Sequence, residues 1–85
     1  MTDKLKTIRS QIDALDERLV KLLSARARLA QRIGKIKQGA VYRPEREAQV
    51  LRRIIQNNPG PLSGRALARV FTEVMSACRA LEDSL

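Results

Sequence analysis

Apolar residues recur along the first part of the chain in alternating steps of three and four, which is a heptad pattern. The positions of this seam are Leu5, Ile8, Ile12, Leu15, Leu19, Leu22, Arg26, Leu29, Ile33 and Ile36. The pattern predicts one helix over about residues 3–38, which at the usual rise per residue is about 54 Å long. That length is about twice the diameter of a compact domain of this size. Since the rest of the chain cannot cover such a helix, we expect a homodimer that pairs two long helices.

Two shorter helices are predicted after a break at Gly39, which suits the left-handed residue that follows a helix. After a connector at residues 40–43, Pro44 opens a helix over residues 44–56. The residues expected to be buried in it are Val50, Leu51, Ile54 and Ile55. A Pro- and Gly-rich stop at 57–61 follows, and Ser63 is a suitable N-cap for a helix over residues 64–83. The stripe of this third helix comprises Leu67, Val70, Phe71, Val74, Met75, Cys78, Leu81 and Glu82.

Composition supports an all-α fold in a single domain of 85 residues. Good helix formers dominate, and the aromatic residues are limited to Tyr42 and Phe71. The single cysteine, Cys78, excludes an internal disulfide and fits a reducing compartment. The sequence has neither an apolar run of the ~20 residues that span a bilayer nor an apolar signal core at its N-terminus. We therefore expect a cytoplasmic protein.

Charge and the absence of histidine narrow the chemistry. The 17 Lys and Arg residues against 9 Asp and Glu residues give a net charge of +8, which favours an anionic partner such as nucleic acid, an acidic membrane or a small polyanion. Without histidine there is no imidazole base, no Ser-His triad and no His-based metal site. An enzyme with this composition would work by positioning and electrostatics, and we expect neither a metal nor a cofactor.

Two charged residues occupy positions where apolar ones are expected. Arg26 lies within the seam of the first helix, and Glu82 follows Phe71, Met75 and Cys78 at helical spacing. A buried charge is normally paired or neutralised. One interpretation is structural: Arg26 and Glu82 form an ion pair, or Arg26 sets the register of paired helices. The other is a cavity for a ligand with carboxylates, to which Arg26 offers a bidentate guanidinium.

The spacing of other cations favours the ligand interpretation. Lys37 is about 20° from Arg26 around an ideal helix and about 16 Å further along it, so the two share a face. Arg9 is about 100° away from that face. It cannot easily serve the same pocket, but it could reach the pocket of a paired chain. Arg46 and Glu47 begin the second helix beside this region.

The same segments resemble those of a known family. Residues 8–16 (IRSQIDALD), 22–26 (LLSAR) and 33–37 (IGKIK) resemble the long helix of the all-helical chorismate mutases, and 42–47 (YRPERE) resembles the start of their second helix. Residues 58–62 (NPGPL) and 70–82 (VFTEVMSACRALE) are similar to the mutase domain of bifunctional chorismate mutase/prephenate dehydratases. The resemblance covers almost the whole chain, with the motifs in the family's order.

The resemblance implies the rearrangement of chorismate to prephenate in phenylalanine and tyrosine biosynthesis. This reaction is unimolecular and pericyclic, so it needs no nucleophile, metal or cofactor. The family implies an intertwined homodimer with two sites, each completed by the long helix of the partner. It also implies a prephenate dehydratase domain that could follow this segment in the full-length protein.

Site roles are likewise implied by the resemblance. Arg26 and Arg9 of the partner subunit would bind the substrate carboxylates, and Lys37 would contact a carboxylate and the ether oxygen. Glu47 would accept a hydrogen bond from the ring hydroxyl of the substrate, with Arg46 beside it.

Two positions on the third helix complete these implied roles, and one connector position departs from the pattern. Cys78 occupies a position near a carboxylate where some relatives have a hydroxyl residue, and cysteine is a weaker donor. Glu82 would donate a hydrogen bond to the ether oxygen, which requires it to be protonated. Arg43 lies where some relatives have Asp.

Other functions fit parts of the sequence. An isochorismate-pyruvate lyase would share the fold and a pericyclic reaction, although the segment Met75–Cys78 favours the mutase. A basic helical dimer could bind nucleic acid, but this function needs its cations on an exposed face. A non-catalytic regulatory or assembly module is the third alternative.

Overall fold

The computed structural model describes residues 2–37 and 43–83. These residues form three helices, α1 (Thr2–Lys37), α2 (Pro44–Gln56) and α3 (Gly64–Asp83), and they contain no strand. The all-α, three-helix prediction is confirmed. The predicted Gly39 cap, the last predicted residue of the first helix at position 38, and Tyr42 lie outside the described residues.

The long helix α1 gives the molecule its elongated shape, with principal extents of 54 × 26 × 15 Å. α3 packs against α1 and against α2, so it connects the other two helices. Every described residue of α1 up to Leu23 is exposed, and α3 therefore covers only the C-terminal part of α1. None of these three helices is apolar enough over a sufficient length to cross a lipid bilayer.

The face that α1 buries is not its seam of large apolar residues. The two buried residues of α1 are small ones, Ala30 and Gly34, and they lie on the side that meets α3. The seam remains exposed, with Leu22 at 67% and Ile36 at 79% exposure. On an ideal helix the two faces are about 100° apart. α1 therefore packs α3 through small residues and leaves its large apolar residues uncovered within one chain.

α2 begins where its sequence favours a helix start and ends in a turn. Pro44 lies in the first turn, and the backbone N–H of Glu47 donates to the carbonyl oxygen of Arg43 at 3.0 Å. At the other end, the N–H of Asn57 donates to the carbonyl oxygen of Arg53 at 3.0 Å. Both ends of α2 are thus closed by backbone hydrogen bonds, and Arg43 makes no side-chain cap.

The connection from α2 to α3 is held by side chains of the predicted stop. Asn58 accepts a hydrogen bond from the N–H of Gly60 at 2.9 Å and donates through its amide nitrogen to the carbonyl oxygen of Leu62 at 2.7 Å. Gly60 has φ of 73°, which glycine adopts without a Cβ penalty. Ser63 Oγ then accepts from the N–H of Ala66 at 3.1 Å, so the predicted N-cap of α3 is confirmed.

The small core lies where α2 and α3 meet and where α3 meets α1. Val50, Met75 and Cys78 are buried there together with Ala30. The prediction that Ile55 is buried is wrong, because this residue is 46% exposed. Its side chain lies over Gly64, where an added Cβ would be 3.3 Å from Ile55 Cγ2, so α3 covers one side of it only.

Candidate functional site

A cavity of about 310 Å³ lies where the three helices come together. α1 contributes residues from Arg26 to Ile33, α2 contributes its first turns, and α3 contributes its C-terminal half. The floor contains the buried residues Ala30, Val50 and Met75. The volume lies in the range of small-molecule sites, and an apolar floor with polar walls is typical of them.

The walls of this cavity are strongly cationic. Among the described residues that line it, five are arginines and two are glutamates. They are Arg26, Arg43, Arg46, Arg53, Arg79, Glu47 and Glu82. Guanidinium groups bind carboxylates with two parallel hydrogen bonds, so this set of side chains suits a small ligand with more than one carboxylate.

Arg26 and Glu82, the two charges that interrupt apolar patterns, both line the cavity. Each is half-buried, and they approach it from different helices. No ion pair within 4.0 Å joins these two described side chains, so the predicted alternative of an Arg26–Glu82 pair is not observed. Both side chains therefore remain available to a ligand in the cavity.

The ion pair that the structure does form across this site is between Arg79 of α3 and Glu47 of α2. Both side chains are half-buried and both line the cavity. Arg79 was not among the predicted site residues. Its position four residues after Met75 places it beside the stripe of α3, and this spacing is the signal that could have identified it.

Other predicted residues of α2 and α3 also reach the cavity. Arg46 lines it while its Nη1 donates to Gln49 Oε1 at 2.8 Å. Cys78 is a buried free thiol in its wall. Arg43 and Arg53 line it as well, and Arg53 was not predicted. The sequence pattern of α2 does not predict Arg53 as a lining residue, because whether its side chain reaches the cavity depends on how α2 is oriented against α3.

Two predicted residues do not belong to the described lining. Lys37 is exposed at the end of α1, and Arg9 is exposed near its start. Arg9 is about 26 Å from Arg26 along the helix axis, which is too far for one cavity in the same chain. Of the predicted site residues, the cavity of a single chain thus brings together Arg26, Arg46, Glu47, Cys78 and Glu82 and leaves Lys37 and Arg9 outside.

The fold is that of the helical chorismate mutases. The chorismate mutase from Thermus thermophilus (form II) superposes with a TM-score of 0.88 at 32% identity, over 93% of each chain. The chorismate mutase from Helicobacter pylori in complex with prephenate gives a TM-score of 0.85 at 38% identity, over 92% of this chain and 88% of that one.

Residues 8–83 match the family described as chorismate mutase type II, and the chain belongs to this family. Bifunctional chorismate mutase/prephenate dehydratases are also similar to it: those of Stutzerimonas stutzeri and Pseudomonas aeruginosa are 47% and 48% identical over 98% of this chain. The chain spans about a quarter of the length of these relatives, 25% in both. The family resemblance predicted from the motifs is confirmed.

Proposed function

We propose that this chain catalyses the rearrangement of chorismate to prephenate. The observation that carries the proposal is the arginine-lined cavity at the junction of the three helices, in a member of the chorismate mutase type II family. Chorismate is a dianion, and a cavity with five arginines against two glutamates among its described residues is suited to bind one. The relative from Helicobacter pylori that carries prephenate has the same fold.

The reaction requires a particular arrangement of the substrate and no covalent chemistry from the protein. One carbon–oxygen bond breaks and one carbon–carbon bond forms within the same molecule. An enzyme accelerates such a step by holding the reacting ends together and by stabilising the charge that develops on the ether oxygen. Fixed arginines and a hydrogen-bond donor aimed at that oxygen supply both effects.

We assign the substrate carboxylates to Arg26 and to Arg9 of the partner subunit. Arg26 lines the cavity, and its planar guanidinium can bind a carboxylate with two hydrogen bonds. Lys37 lies outside the described lining of the cavity but on the same side of α1 as Arg26, and its assignment to a carboxylate and the ether oxygen rests on the family resemblance.

The remaining roles fall to α2 and α3. Glu47 accepts a hydrogen bond from the ring hydroxyl, and Arg46 lies beside it. Glu82 donates a hydrogen bond to the ether oxygen from the opposite wall. Cys78 shapes the wall near a carboxylate, since a thiol is a weak donor. All four line one cavity, which supports this assignment.

The active form that we propose is a homodimer. Support comes from the uncovered seam of α1, where all nine large apolar residues are exposed. They are Leu5, Ile8, Ile12, Leu15, Leu19, Leu22, Leu29, Ile33 and Ile36. Pairing with a second copy would bury this surface and would place Arg9 of the partner subunit near a cavity that the Arg9 of the same chain cannot reach.

The proposal also covers the biological setting. Residues 1–85 would form one mutase domain that acts in phenylalanine and tyrosine biosynthesis in the cytoplasm. Because the curated relatives are bifunctional, a prephenate dehydratase domain in the full-length protein is the expected covalent partner.

The test is the loss of chorismate absorbance in the presence of the purified protein, with prephenate identified as the product. Arg26→Ala should lower kcat/KM by about a hundredfold to a thousandfold, comparable with the loss of one oxyanion donor. Arg28→Ala is the matched control, because Arg28 is an exposed arginine of the same helix. Turnover of isochorismate with none of chorismate, or equal activity of the two variants, would contradict the proposal.

A further inference from the structure

Gly34 is buried in α1 against the last turn of α3. A Cβ added at this position would lie 2.8 Å from the backbone oxygen of Glu82 and 2.9 Å from its Cα. It would also lie 3.1 Å from the Cβ of Glu82. Two of these three atoms are backbone, so a rotamer change in Glu82 cannot relieve the contact. Only a glycine allows α1 and α3 to approach this closely here.

The contact involves the one residue of α3 that is assigned to the ether oxygen. Glu82 and Arg26 line the same cavity from α3 and α1. Gly34 follows Arg26 by two turns of α1, about 12 Å along the axis. The distance between α1 and α3 at Gly34 therefore determines how far the side chain of Glu82 extends over the cavity that Arg26 also lines.

The identity of residue 34 is not explained by helix stability. Glycine is the least favourable residue in a helix interior apart from proline, and alanine is the most favourable. Gly34 lies in the last turn of α1, and the space that its missing side chain leaves is occupied by Glu82.

We propose that Gly34 is a positioning residue, which acts on catalysis through the placement of Glu82. The inference rests on the proposed mutase function and on the assignment of Glu82 as hydrogen-bond donor. A side chain at position 34 displaces the end of α3 from α1 and moves the Glu82 carboxyl group away from the ether oxygen. Substrate binding through Arg26 is retained, because that side chain belongs to α1 itself.

The experiment compares Gly34→Ala with Gly64→Ala. Gly34→Ala should lower kcat by about tenfold to a hundredfold and leave KM within about threefold, since a displacement of the order of 1 Å at the reacting groups has effects of this size. Gly64→Ala should leave kcat within about twofold, because Gly64 does not line the cavity and its added Cβ meets only side-chain atoms of Ile55, the nearest being Cγ2 at 3.3 Å. Circular dichroism and elution volume should be unchanged in both variants.

A second background separates positioning from a general effect on the fold. In Glu82→Ala protein, Gly34→Ala should lower kcat by less than about twofold further, because the group it displaces is already absent. Equal losses in the two backgrounds, or a Gly34→Ala protein that keeps wild-type kcat, would overturn the proposal. So would a Gly34→Ala protein that loses its helical spectrum, since Gly34 would then be a purely structural residue.

One measurement does not depend on activity. In the wild-type protein, a nuclear Overhauser contact between the Hα protons of Gly34 and the Hα of Glu82 should be observed. Its absence would remove the geometric basis of the proposal. Wild-type protein that shows this contact but does not convert chorismate would instead contradict the proposed function, so the two failures are distinguishable.

Discussion

Arg26 lies on the boundary between two faces of α1, the exposed apolar seam and the side that packs against α3. Around an ideal helix it is about 40° from Ala30 and about 80° from Gly34. This position keeps the side chain half-buried without enclosing it in the apolar core. A guanidinium held at such a boundary is partly shielded from water, which strengthens its attraction for a carboxylate, and it is still accessible from the cavity.

Glu82 leads to a prediction about hydrogen-bond donation at the same scale. The amide of glutamine has nearly the same size as the glutamate side chain and carries two donor hydrogens, whereas alanine carries none. We therefore expect Glu82→Gln to remain active and Glu82→Ala to lower kcat by about a hundredfold, the loss typical of one oxyanion donor. Initial rates with chorismate measure both, with Glu73→Gln, at an exposed position of α3, as the control. A Glu82→Ala protein with wild-type kcat would refute the role of Glu82 as donor.

Arg79 and Glu47 join α3 to α2 at the edge of the cavity, so their ion pair should contribute to stability. Because both side chains are half-buried, we expect Arg79→Met to cost about 1 kcal/mol, near the upper end for exposed pairs and below that for buried ones. Urea denaturation of Arg79→Met, Glu47→Gln and the double variant gives the coupling energy. Arg69→Met, at an exposed site on α3, should cost less. Additive losses in the double variant would show that the pair contributes nothing.

At the scale of the element, α1 shows what a sequence pattern can and cannot predict. The heptad spacing of large apolar residues predicts the helix and its uncovered seam, because periodicity depends only on local geometry. The face that α1 buries consists of Ala30 and Gly34, which contribute little to any apolar pattern. Two helices approach closely where the side chains between them are small. Which small residues face a neighbouring helix is known only once the helices are oriented. For the same reason Arg53 reaches the cavity without having been predicted there.

The start of α3 offers a prediction for a single element. Ser63 Oγ accepts the hydrogen bond of the Ala66 N–H, so Ser63→Ala leaves that N–H without its side-chain acceptor. We expect a loss of about 1 kcal/mol in the free energy of unfolding, and recovery of most of it in Ser63→Asp. Chemical denaturation measures both. Ser76→Ala, at an exposed site within α3, is the control and should not destabilise the protein. A Ser63→Ala protein as stable as wild type would contradict the cap.

At the scale of the whole molecule, the position of Arg9 on α1 makes a prediction about mixed dimers. If each site takes Arg26 from one chain and Arg9 from the partner subunit, neither Arg9→Ala nor Arg26→Ala protein has an intact site. A mixed dimer of the two variants has one intact site, so an equal mixture should recover about a quarter of wild-type activity through random exchange in a twofold-symmetric dimer. Mixing after unfolding and refolding allows the exchange. No recovery would show that both residues serve the same chain or that no dimer forms.

The uncovered seam of α1 also determines how the protein responds to dilution. Leu22 is 67% and Ile36 is 79% exposed in one chain, so in the proposed dimer much of the apolar surface that stabilises the fold would be buried only by association. Folding and association are then one equilibrium, and its midpoint depends on protein concentration by mass action. The thermal midpoint should rise with concentration, and activity per chain should decline on extreme dilution. For such a protein, the number of copies present is itself a determinant of whether each copy is folded.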